Sequence, residues 1–225
     1  MCAGRQQHVS APRRRYQLSR HPNVVAMHGV CGAPRLGLVT EHMAGGSVAD
    51  AAARAPLSRQ QQFTAARDAA AGVANIHSAG FIHRDITTAN VLVADARVSG
   101  VKVGDFGLAQ RYCPGGGAVI DKVYGQGYGQ GRRMAPEARE AGEMSTASDA
   151  YMFGVLLWDI FEAPATTARP GAGQVPADFA GMRLSRTPPD VAALIERLMS
   201  GSPRERPHLA VVAAELGRSV ARLRG

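Results

Sequence analysis

The sequence predicts an α+β domain that is mainly helical, with a small pair of strands ahead of the helices. Three observations carry this reading. Two short β-type runs, 24–30 and 36–43, lie close together near the N-terminus, the first just after the Pro22 that disfavours helix at His21. A long amphipathic stretch opens at Ser58. A further stretch, 148–159, is apolar nearly all round. Strands first and helices afterwards is the order of an α+β chain.

Taken in order, residues 1–15 show no periodicity, and the readable region begins at Leu18. The second strand runs into Gly45-Gly46-Ser47, and 49–55 is a short helical stretch closed by Pro56. Ser58 caps the longest helix, with Gln61 three residues on completing a capping box. Phe63, Ala66, Ala70, Val73 and Ile76 follow at spacings of three and four, a stripe that faces a core, and Gly80 stops it. Val91-Leu92-Val93 is again β-type. From 108 to 133 there is neither helical nor strand period, and glycines stand at 115–117, 125, 127, 129 and 131. The apolar stretch 148–159 reads as a buried helix. A Pro/Gly/Ala loop covers 163–176, and an amphipathic helix covers 190–199. Pro203 to Pro207 opens a last helix, 208–223, with Leu209, Val212, Leu216 and Val220 on one face.

Length allows one large domain or two small ones, and no repeat or linker divides the chain. The formal net charge is +8, but of the 26 basic residues only Lys102 and Lys122 are lysines. With abundant Ala and Gly, that skew fits a coding bias better than a nucleic-acid footprint. The run Arg13-Arg14-Arg15 has no interleaved aromatics, so a solvated face is expected and no nucleic acid. Cys2, Cys31 and Cys113 are scattered without metal-ligand spacing, which points to a reducing compartment, and a cytoplasmic location is expected. No apolar run reaches the ~20 residues of a membrane span. The first forty residues hold no acid and open Arg-rich. Serine is too sparse there for a transit peptide, so missing upstream coding sequence is the expected cause.

The chemistry-bearing residues are concentrated in two places. His83-Arg84-Asp85 is followed five residues after the acid by Asn90, and Asp105-Phe106-Gly107 comes shortly afterwards. Met134-Ala135-Pro136-Glu137 and Ser148-Asp149 follow in order. An H-R-D-x-x-x-x-N, D-F-G, A-P-E series resembles the catalytic loop, metal loop and activation-segment end of eukaryotic-type protein kinases. The M-A-P-E, S-D-x-Y-x-F-G-V-L-L-W and R-P elements look most like the tyrosine-kinase-like group of serine/threonine kinases.

The resemblance covers about 18–223 and implies a protein-kinase-like fold. Residues 1–17 would be a basic irregular segment. Residues 18–46 would be a small-lobe remnant, its fourth and fifth strands plus the hinge, and 47–223 the large lobe. It implies ATP and Mg2+ as cofactors and a protein as substrate. Asp85 would be the catalytic base, with Asn90 and Asp105 as metal ligands. Thr40 would sit at the gatekeeper position, the main chain of Glu41 and Met43 would bond the adenine edge, and Leu92 would floor its pocket. His83, Arg84, Phe106, Gly107 and Asp149 would support the loops. Glu137 and Arg206 would form a buried pair.

Departures from the family pattern open a second reading. There is no Gly-rich loop, no lysine before Lys102 and no acid before Glu41, so the phosphate cradle of the small lobe is missing and its sheet edge is bared. Thr87 and Ala89 replace the catalytic-loop cation, and Gln130 and Arg133 replace the threonine and aromatic that precede A-P-E. No Ser or Thr lies between Phe106 and Met144, so Ser/Thr phosphorylation is not expected to switch this segment. The function is then either ATP-dependent phosphotransfer by a chain truncated in its small lobe, or a kinase-like scaffold that binds a partner kinase.

Overall fold

The computed structural model describes residues 21–32, 37–112, 119–120, 133–162 and 184–223. The expected N-terminal segment, the base run at 13–15, Gln130, most of the 108–133 stretch and the 163–176 loop lie outside the described residues. What is described is an α+β arrangement, a body of helices carrying a small two-stranded ribbon.

The ribbon is β1 (Met27–Cys31) against β2 (Gly37–Thr40), antiparallel, with Val30 opposite Leu38 and Cys31 opposite Gly37. β1 starts later than the apolar run 24–30 suggested, because that run serves two partners. Val24 makes a parallel bridge to Val103, and the Val25 N–H donates to the Val103 carbonyl at 2.9 Å. Leu38 is 61 % exposed, and Val30 and Val39 are exposed too, so the ribbon leaves apolar side chains uncovered.

Helix α1 (Val48–Arg54) begins at Ser47, whose hydroxyl accepts from the Asp50 N–H. Helix α2 (Arg59–Ser78) starts where the Ser58/Gln61 box places it, with both reciprocal bonds made. Its apolar stripe faces the helices Thr146–Phe161 and Leu209–Arg222. At Gly72 the helix comes so close to the Asn23 turn that a Cβ would lie 2.2 Å from the Asn23 carbonyl oxygen. The same turn is tied to the body by Asn23 Nδ2 donating to the Val101 carbonyl at 2.9 Å.

Short strand pairs then set the loops. β3 (Phe81–Ile82) is followed by β4 (Val91–Leu92), β5 (Lys102–Val103) and β6 (Gln110–Arg111); β3 pairs with β6 and β4 with β5, both antiparallel. β7 (Val119–Ile120) pairs with β8 (Glu143–Met144) across α3 (Pro136–Ala141). Helix α3 was not foreseen. Pro136 at its first turn and Gly142 at φ 69° after its last residue are the signals that mark it.

Helix α4 (Thr146–Phe161) is capped by Ser145, and 12 of its 16 residues are buried, which is why it carries no polar stripe. Phe161 meets Phe63 of α2 edge-on at 5.0 Å. Helix α5 (Pro189–Leu198), a 3-10 turn (Pro203–Glu205) and α6 (Leu209–Arg222) complete the body. Among the described residues no helix is long and apolar enough to cross a membrane.

Candidate active site

Strand β3 delivers the chain into the loop 83–90, and one buried acid of α4 shapes it. The fully buried Asp149 accepts the N–H groups of His83 at 2.7 Å and Arg84 at 2.8 Å. His77 of α2 places Nε2 2.8 Å from the same carboxylate. Burial raises the Asp149 carboxyl, but the hydrogen bond and charge of His77, with the backbone bond from His83, outweigh it and hold the group below its ordinary value. The clamp lets Arg84 adopt φ 71°, a left-handed conformation that costs a non-glycine residue roughly 1–3 kcal/mol. The Arg84 guanidinium, largely buried, donates to Gln110 of β6.

His83 is fully buried and linked on both ring nitrogens. Nε2 lies 2.9 Å from the Gly104 carbonyl oxygen and therefore carries the proton, leaving Nδ1 to accept the Asp85 N–H at 3.3 Å. Its ring stands 5.5 Å from that of Phe106. The imidazole thus spaces the 83–90 loop from the Asp105 loop.

Asp85 and Asn90 hold each other. Asn90 Nδ2 donates to the Asp85 carbonyl at 2.9 Å and to Asp85 Oδ2 at 2.8 Å. With the amide nitrogen directed at Asp85, the Asn90 side-chain oxygen is turned away from it. The Asn90 carbonyl accepts the Gly104 N–H at 2.9 Å, which places Asn90 beside the start of the second loop. There Asp105 is exposed at φ 56°, and its Oδ1 accepts the Gly107 N–H at 3.2 Å.

The segment after β2 is tied to β5 by Lys102 Nζ, which donates to the Glu41 carboxylate at 2.7 Å. Thr40 is exposed at the end of β2, and Met43 is buried. Glu41 uses its N–H on the Ala26 carbonyl at 2.9 Å. Leu92 is half-buried and packs close to Gly104, where a Cβ would meet Leu92 Cδ1 at 3.3 Å and Val25 Cγ2 at 3.0 Å. Leu92, Gly104 and Val25 therefore pack closely together.

Two ion pairs support the far side. Arg206 meets Glu137 with both terminal nitrogens, at 2.6 and 2.9 Å, and bonds the Ser200 and Ala147 carbonyls. Arg133 meets Asp159 of α4 in the same bidentate manner, at 2.5 and 3.0 Å. Burial pushes the Asp159 carboxyl up, against the opposing pull of Arg133. The sequence reading noted Arg133 only as a departure and missed Asp159. It also missed His77, Lys102 and Gln110, whose partners lie 72, 61 and 26 residues away in the chain. No local pattern carries such pairings.

Among the described residues no group of three or more His, Cys, Asp or Glu could hold a metal ion. Asn90, Asp85 and Asp105 offer one amide and two carboxylates, hard donors that suit Mg2+ completed by phosphate oxygens rather than a site made by protein alone.

A helical body, a strand ribbon with a hinge, and facing H-R-D and D-F-G loops define a protein-kinase-like domain. A family model described as protein tyrosine and serine/threonine kinase matches residues 6–216, and the chain belongs to that family. It is 32 % identical over 205 residues to the serine/threonine-protein kinase STY46 of Arabidopsis thaliana, a match covering 88 % of this chain and 34 % of that protein. It is 32 % identical over 209 residues to the Arabidopsis serine/threonine-protein kinase CTR1, covering 86 % of this chain and 24 % of the relative. Similarity extends to the tyrosine-protein kinase Abl of Drosophila melanogaster, 36 % over 148 residues, covering 63 % of this chain and 9 % of the relative. The chain thus spans about a third or less of the length of these relatives.

Proposed function

We propose that this chain is an ATP-dependent protein phosphotransferase of serine/threonine type that uses Mg2+ and works in the cytoplasm. The observation that carries the reading is the mutual hold of Asp85 and Asn90, with Asn90 also bonded to the start of the Asp105 loop. Asn90 and Asp105 would hold Mg2+, and the metal would neutralise charge on the transferred phosphoryl group. Asp85, oriented by Asn90 Nδ2, accepts the proton of the attacking hydroxyl. Thr40, Glu41, Met43 and Leu92 would bound the adenine. Asp149 and the Glu137–Arg206 pair would keep both loops in register. Residues 18–46 act as small-lobe remnant and hinge, and 47–223 as large lobe.

A specific observation favours a second reading, a catalytically impaired scaffold that binds a partner kinase. Thr87 and Ala89 leave the loop without a cation after Asp85, and loss of one charge-stabilising donor costs ~3 kcal/mol, roughly 10²–10³ in rate. Transfer of labelled γ-phosphate from ATP to a mixed Ser/Thr/Tyr peptide library separates the two. The phosphotransfer reading expects incorporation into Ser or Thr that disappears in Asp85→Asn. No incorporation above that variant would leave the scaffold reading standing.

A further inference from the structure

The chain holds two Ser/Thr-Pro dipeptides, Thr187-Pro188 and Ser202-Pro203, and the fold treats them differently. Thr187 is buried, and both its hydroxyl and its N–H donate to Glu162 Oε2, at 2.8 and 3.0 Å. Ser202 is half-buried, at the bend between α5 and the 3-10 turn, with Gly201, Arg204 and Glu205 exposed around it. Ser47, Ser58 and Ser145 each open a helix and accept a backbone N–H on the hydroxyl. Ser202 opens the 3-10 turn on extended backbone, and its hydroxyl makes no such bond.

An acceptor hydroxyl has to reach the γ-phosphorus of ATP held by another protein, which asks for an extended, unengaged side chain at the surface. The residue that follows narrows the class of enzyme. Proline has no N–H, so a cleft with no partner for that amide admits Pro203 and penalises any residue whose donor would be left unpaired.

The neighbours of Ser202 decide what a phosphate would do. Side chains three apart in a 3-10 turn eclipse, so Ser202 and Glu205 share a side. Glu205 Oε2 accepts the Ser200 hydroxyl at 2.5 Å, and Ser200 Oγ accepts the Ser202 N–H at 3.1 Å. The Ser200 carbonyl accepts Arg206 Nε at 2.9 Å, so this bend seats the guanidinium that holds Glu137. A phosphate on Ser202 would bring about two negative charges beside Glu205. Arg206 is already committed to Glu137, and Arg204, two residues on, lies on another side of the turn.

We propose that Ser202 is a phosphorylation site for a proline-directed serine/threonine kinase, and that its phosphate loosens the bend seating Arg206 by repelling Glu205. In the step, Ser202 Oγ bonds to the γ-phosphorus of ATP and the bond from that phosphorus to the bridging oxygen breaks. ADP leaves, and the hydroxyl proton passes to the base of the modifying kinase. The site does not depend on phosphotransfer by this chain.

The test incubates the full folded chain, as wild type, Ser202→Ala and Glu205→Gln, with Mg·ATP and a purified proline-directed serine/threonine kinase. Peptide mass mapping locates phosphate above a blank without that kinase, and thermal midpoints are compared before and after. Ser202 is expected to carry at least about tenfold more phosphate than Thr187, which only local unfolding exposes, and incorporation is lost in Ser202→Ala. Phosphorylation is expected to lower the wild-type midpoint by about 2–4 °C and that of Glu205→Gln by less than about 1 °C. Absence of phosphate at Ser202, or equal phosphate at Thr187, overturns the site. Phosphate on Ser202 with an unchanged midpoint, or with the same fall in Glu205→Gln, overturns the repulsion.

Discussion

Asn90 grips Asp85 twice, its side-chain nitrogen lying 2.9 Å from the Asp85 carbonyl oxygen and 2.8 Å from the carboxylate. Truncating it frees the acid and removes a proposed metal ligand in one step. Asn90→Ala is expected to weaken Mg·ATP by about 10–100-fold. Because the Asn90 backbone bonds survive, the thermal midpoint should stay near that of the wild type. Paired calorimetry and thermal unfolding check both statements.

Asp149 satisfies His77 and the N–H groups of His83 and Arg84 with one carboxylate. Asp149→Ala strands buried donors in the core and lets Arg84 leave its left-handed conformation. The expected cost is about 3–5 kcal/mol of unfolding free energy. A urea titration measures it, and a loss under ~1 kcal/mol would show that the loop holds itself.

Gly72→Ala tests the packing of α2 against the Asn23 turn. The added carbon would lie 2.2 Å from backbone oxygen, which cannot swing aside as a side chain does. Helix propensity alone would favour alanine by ~1 kcal/mol. A net destabilisation of about 1–3 kcal/mol is nonetheless expected from overpacking, read from the same titration.

Acid sensitivity follows from Glu162. Its carboxylate, at the end of α4, accepts three backbone N–H groups of Ser185, Arg186 and Thr187 and the hydroxyls of Ser185 and Thr187. Burial raises it, but these bonds outweigh burial and hold it below its ordinary value. A carboxyl depressed in the folded state contributes stability that is present above its unfolded pKa, ~4.3, and lost as pH falls through the folded value. Glu162→Gln is expected to lower stability at pH 7 and to flatten the pH dependence below ~4. Asp159, raised by burial, has the opposite sign, its contribution shrinking as pH rises through the folded value. Unfolding midpoints between pH 3 and 7 for wild type and Glu162→Gln give the comparison.

All the helices but α3 were legible because their signals are local. Ser58 and Gln61 announce the start of α2, and the unbroken apolar run 148–159 announces burial of α4. The loops 83–90 and 105–107 were legible as motifs, since their residue types and spacing are set within a few positions. The ribbon was read with its first strand starting too early, because Val24 and Val25 are as apolar as β1 yet pair with Val103. What sequence could not supply were the long-range partners. Nothing near Glu41 indicates that a lysine 61 residues on will cover it, and nothing near Arg133 indicates Asp159. Such pairs depend on which faces the helices and strands present after folding.

The central claim is that the 83–90 and 105–107 loops together make an Mg·ATP site. Calorimetric titration of Mg·ATP into the wild-type chain and into Asp105→Ala tests it most directly. The account predicts one Mg2+-dependent site in the wild type, lost in Asp105→Ala. Binding that is absent in the wild type, or equal in the two proteins, would contradict it.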